Sequence, residues 1–171
     1  MLYKSNLIIF VLMKAASISD IKQELGNVAP AKLLELCLRL AKYKKDNKEL
    51  LNYLLFEAHD EQAYINRVKE EMEKNFAEIN LSNLYFVKKS LRKILRNLAK
   101  HIRYIASKPG EVEILLHFCS TLSKLKIPLK NSTIINNLYQ TQIKKVAKLI
   151  ATLHEDLQYD YLKELDNLVV K

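Results

Sequence analysis

Gly26 and Gly110 are the only glycines in this chain, and Pro30, Pro109 and Pro128 are the only prolines. Strand-rich folds turn about every 8–12 residues, and tight turns take glycine for backbone at positive φ and proline for a pre-set φ. Two glycines and three prolines in 171 residues cannot supply such a fold. They also leave no glycine-rich loop to cradle a phosphate. Leucine and lysine, both good helix formers, dominate instead. The expected class is all-α: about eight helices in an irregular bundle or a short, α-solenoid-like stack of helical hairpins. The length suits one core, so the expected division is an apolar extension over 1–16 and one helical domain over 17–171.

Caps and breakers place the helices. Asp20 and Gln23 have capping-box spacing for a first helix that closes at Gly26. Pro30 suits the first turn of "PAKLLELCLRLAKY", where Leu33, Leu34, Cys37, Leu38 and Ala41 keep an amphipathic rhythm. Asp46 and Glu49 form a second box before "KELLNYLLFEA". Asp60 precedes a mostly polar helix reaching Ile79, and Asn80 or Ser82 opens a long basic one. Lys108-Pro109-Gly110 and Ile127-Pro128 are the next breaks. Asn131 or Ser132 caps a helix running to His154, and "DLQYDYLKELDNLV" closes the chain. Leu40-Ala41-Lys42 before Glu49-Leu50-Leu51 is echoed by Leu98-Ala99-Lys100 before Glu113-Ile114-Leu115. The period is about 60 residues, as stacked hairpins would show, but leucine-rich helices resemble one another by chance, so an unrepeated bundle is the favoured reading.

The stretch "SISDIKQELGNVAPAKLLELCLRLAKYKKDNKELLNYLLFEA", Ser17 to Ala58, resembles the opening of a family of small uncharacterised bacterial all-helical proteins. The likeness is one of pattern and continues through the basic helix. It implies an all-helical fold and a start at Met13, and it carries no activity, cofactor or site. The apolar run "LIIFVLM" (Leu7 to Met13) is far shorter than the roughly 20 residues a membrane span needs. It reads as an upstream extension, a segment packed on the body, or the core of a secretory signal ending near Ala15-Ala16. Cys37 and Cys119 sit among apolar neighbours and read as buried free thiols, which fits a reducing, cytoplasmic setting.

Charge is unevenly spread. Residues 1–78 hold 12 basic and 12 acidic side chains; residues 79–154 hold 14 basic against Glu111 and Glu113 alone; residues 155–171 hold two basic and five acidic. The whole excess of +9 therefore arises in the middle and late chain. From Leu84 to Gly110 there is no acid at all. On a helical wheel Leu84, Val87, Leu91, Ile94, Leu95, Leu98, Ile102 and Ile105 fall within about 60° of one line, a core-facing stripe. Lys89, Arg92, Lys93, Arg96, Lys100 and Arg103 gather opposite, with Tyr85 and Tyr104 among or beside them. Such a face is solvated, neutralised by an acidic helix such as the one bearing Glu70, Glu71 and Glu73, or set to bind an anionic partner. Lys144, Lys145 and Lys148 extend it if the last long helix packs nearby.

Catalytic motifs are weak. Among His59, His101, His117 and His154, none has a second His or Cys three or four residues away. His117 and Cys119 lie about 200° apart on a helix and cannot share a metal. "EAHDEQAY", with His59, Asp60 and Glu61, is the most enzyme-like string, and it also reads as a helix junction capped by Asp60. No cofactor or metal is expected. The expected function is a non-enzymatic binding or adaptor module. Its anion-binding residues are Lys89, Arg92, Lys93, Arg96, Lys100, Arg103, Tyr85 and Tyr104, and its partner is a nucleic acid or an acidic protein. The alternatives are a scaffold binding proteins through apolar hairpin grooves, and an enzyme centred on His59-Asp60-Glu61.

Overall fold

The computed structural model describes residues 15–125 and 132–169. The expectations for the apolar run before Lys14, the Met13 start and the Ile127-Pro128 break lie outside them. The described residues form eight α-helices and no strand: α1 Ile18–Gly26, α2 Pro30–Tyr43, α3 Lys45–Phe56, α4 Glu61–Ala77, α5 Leu84–Ile105, α6 Lys108–Lys124, α7 Thr133–Ile150 and α8 Glu155–Val169. The protein is all-α, as its lack of turn residues demands. Two compact units divide it, 1–49 and 50–171.

In the first unit, α1 opens on a reciprocal capping box built by Ser17 and Asp20. Asp20 is the third helical residue rather than the cap, and its carboxylate accepts from the Ser17 backbone N–H at 3.0 Å. Pro30 starts α2 as expected, since its missing N–H has no partner to lose there. None of the α2 residues is buried. α3 begins at Lys45, so Asp46 lies inside its first turn rather than before it. The Asn47 carboxamide instead donates to the Leu40 carbonyl at 2.9 Å, tying the start of α3 to the last turn of α2.

The second unit is a bundle around α6, which packs against α4, α5, α7 and α8. The reason is compositional. α6 carries a broad apolar face, with Val112, Ile114, Leu115, Leu116, Phe118, Cys119 and Leu122 all buried, and a face that wide needs several neighbouring helices to cover it. Its first turn comes closest to α4. A methyl group on Gly110 would sit 3.1 Å from Ile65 Cδ1 and 3.2 Å from both Glu61 Oε1 and Ile105 Cγ2. Gly110 is thus a packing glycine inside the first turn of α6, and not part of a helix break. The break falls one step earlier, where Ala106 closes α5 in the left-handed conformation (φ 52°) and the Ser107 hydroxyl caps α6.

α4 is capped by Asp60 as expected, through an Ala63 N–H bond of 2.9 Å, and stops at Ala77 rather than Ile79. α5 is capped by Asn83 instead of Asn80 or Ser82. Its carboxamide oxygen accepts from Tyr85 N at 2.8 Å, while Asn80 is used in a local turn to Ser82 N. Ser132 caps α7, which ends at Ile150, four residues short of His154.

Candidate anion-binding face of the basic helix

α5 has the sharpest division between apolar and polar sides in the protein. Val87, Leu91, Ile94, Leu98 and Ile105 are buried, with Leu91 wholly inaccessible. Leu95 and Ile102, at the edge of the stripe, are partly buried against the core. Leu84 departs from the expected stripe and is 48% exposed. It is the first helical residue, one turn before the first buried position, and helix ends are less covered than helix centres.

Across the helix, Lys89, Arg92, Lys93, Arg96 and Arg103 are exposed. Among the described residues no carboxylate pairs with any of these five. Lys100 is half-buried and engaged, and stands apart from them. Of the acids expected to neutralise the face, Glu71 and Glu73 pair with other side chains, and Glu70 is exposed on α4. Glu71 accepts from the Asn97 carboxamide at 3.0 Å, on the flank of α5, and Glu73 meets His117 on α6 at 2.8 Å. Glu113 pairs with Lys69 on α4, and Glu111 with Lys145 on α7 at 2.7 Å. Both acids of the basic 79–154 segment are therefore consumed by other helices. Lys89, Arg92, Lys93 and Arg96 make pairs three or four residues apart, about 5–6 Å, Arg103 follows two turns beyond Arg96, and Lys89 to Arg103 spans about 21 Å of helix axis.

The two tyrosines separate. Tyr85 is 64% exposed at the start of the stripe, edge-on to Phe86. Tyr104, expected beside the stripe, is 7% exposed and stacks edge-on against His101. On the wheel it falls on the flank that meets α4, so packing claims it. There His101 Nδ1 and the Tyr64 hydroxyl share a hydrogen bond of 2.7 Å, and Tyr64 stacks on Tyr53. Burial, helped by the Glu57 charge, pushes the Tyr64 phenol well above its ordinary range. Nothing in the sequence around His101 pointed to the α4 tyrosine 37 positions away.

The enzyme-like string does not assemble a site. His59 and Asp60 are exposed, and the Asp60 carboxylate is occupied as the α4 cap. Glu61 is half-buried beside Gly110. Cys119 is fully buried, and burial pushes its thiol up to about 12, so it stays protonated at neutral pH. Cys37 is half-buried and also a free thiol. Among the described residues no three His, Cys, Asp or Glu side chains converge as a metal site, and no helix is long and apolar enough to cross a membrane. No protein-family model, no curated protein and no solved structure matches this chain.

Proposed function

We propose that this protein is a non-enzymatic binding module that holds an extended anionic partner along α5. One observation carries the reading: five exposed cations run along one helix face with no paired carboxylate among the described residues, while both acids of the surrounding segment pair on other helices. Like charges four residues apart cost tenths of a kcal/mol each, a tolerable load for a helix whose other face is anchored in the core. A partner bearing regularly spaced phosphates or carboxylates would relieve that repulsion and release counter-ions on binding. Lys145 and Lys148 follow the same side of α7 by helical periodicity, and Lys148 is exposed.

Retention on immobilised heparin tests the reading. The wild-type chain is expected to bind at low salt and to elute as screening shortens the Debye length below about 10 Å. The Arg92→Glu, Arg96→Glu, Arg103→Glu triple variant is expected to flow through while keeping its helical circular dichroism. A wild-type chain that flows through at low salt overturns the proposal.

A second reading has its own support in the first unit. Leu34 (62% exposed), Leu40 (60%) and Tyr43 (75%) leave α2 with a largely uncovered apolar surface, as a scaffold for protein partners would require. Partner retention that persists in high salt and is lost in Leu34→Glu would favour it.

A further inference from the structure

Beside the basic stripe, α5 and α7 enclose an open groove of about 480 Å³. Lys88 and Arg92 form its α5 wall, and Asn137 and Gln142 stand on the α7 wall. Leu95, Leu138 and the 53% exposed Ile134 give it an aliphatic floor. This inference rests on the proposed function above and narrows it.

We propose that this groove seats an acidic, amphipathic polypeptide segment. Lys88 and Arg92 are four residues apart, so their side chains start about 5–6 Å from one another. That matches carboxylates four residues apart on a helix, or two apart on a strand at about 6.6–6.8 Å. The aliphatic floor takes an apolar side chain on the segment's groove-facing side, next to those carboxylates. Asn137 and Gln142 each offer both a donor and an acceptor, which suits the backbone of a polypeptide. The groove suits nucleic acid less well. Single strands gain much of their hold from bases stacked on aromatic rings, and among the described residues no aromatic side chain lines the groove. Tyr104 is buried against His101, and Tyr85 stands in the first turn of α5, outside the groove lining.

The test uses the full chain and three fluorescent probes of equal charge, read by anisotropy. They are a helical peptide with glutamate and leucine alternating every three to four residues, a polyglutamate, and an oligothymidylate. The glutamate–leucine peptide is expected to bind about tenfold more tightly than polyglutamate, a gain of the size one apolar anchor provides. Ile134→Gln, at an exposed position, is expected to erase that margin and leave polyglutamate unchanged. Lys88→Gln with Arg92→Gln is expected to weaken both peptides. Equal affinity for the two peptides, an Ile134→Gln variant that keeps the margin, or tighter binding of oligothymidylate would each overturn the polypeptide assignment and leave the basic-face reading standing. Failure of all three probes to bind at low salt overturns both.

Discussion

Helices α4 and α5 each carry seven charged residues, and they use them in opposite ways. On α4 the signs are mixed, and four of its charges meet other side chains of the protein: Arg67 on Glu57, Lys69 on Glu113, Glu73 on His117 and Glu71 on Asn97. On α5 all seven are positive, and five of them face outward with no carboxylate partner among the described residues. Equal numbers of charges therefore yield a structural surface in one case and an unbalanced field in the other. Local sign composition decides which. A helix that carries both signs can satisfy its neighbours, whereas one that carries a single sign needs acids from elsewhere, and here those acids have other partners.

The first way to break this comparison is to remove the anchor that lets α5 tolerate its repulsion. Leu91→Ala, at a wholly buried position, is expected to cost about 2–5 kcal/mol in urea unfolding, against less than about 1 kcal/mol for Leu84→Ala at the half-exposed helix start. Similar losses at both positions would mean that the stripe is not held as described. The seam between α4 and α5 gives a second measurement. Tyr64 ionises well above its ordinary range, mainly because it is buried, so above about pH 10 the unfolded chain releases a phenolic proton that the folded chain retains. Stability contributed by that group is present below pH 10 and falls as pH rises. The urea midpoint of wild type is expected to drop more between about pH 9 and pH 11 than that of Tyr64→Phe.

Smaller effects sharpen the contrast. Glu113→Ala strands Lys69, whose side chain is only 21% exposed, and is expected to cost about 1 kcal/mol. Ala106→Gly relieves the left-handed C-cap of α5 and is expected to raise stability by about 0.5–1 kcal/mol in the same assay. Reversing Arg92, Arg96 and Arg103 to Glu comes last on stability. A change within about 0.5 kcal/mol is expected, because the new carboxylates lie near Lys88, Lys89, Lys93 and Lys100 along the helix. A large loss there would show that the stripe supports the fold.

Much of α5 was legible in advance, because an amphipathic helix writes its two faces into a 3.6-residue period. Val87, Leu91, Ile94, Leu98 and Ile105 went inward as that period requires, and the five free cations went outward. Helix ends were less legible. Asn80, Ser82 and Asn83 are interchangeable as caps by residue type, and Ser17 competes with Asp20 only through local geometry. Tyr104 was misplaced because its wheel position lies on a flank, where the choice between water and protein belongs to the neighbouring helix. The α5–α7 groove was illegible altogether, since it joins Arg92 to residues more than 40 positions away.

By itself, then, the sequence determined that the chain is helical, where its charge excess lies and which side of α5 is apolar, because propensity, composition and periodicity are local quantities. Only the tertiary structure decided which acids meet which bases. Glu111 and Glu113 sit close in sequence to the stripe that they might have neutralised, yet the helix packing turns them to Lys145 and Lys69. Ion pairing depends on distances of a few ångströms between helices, and those distances are fixed by how α6 buries its broad apolar face among its neighbours.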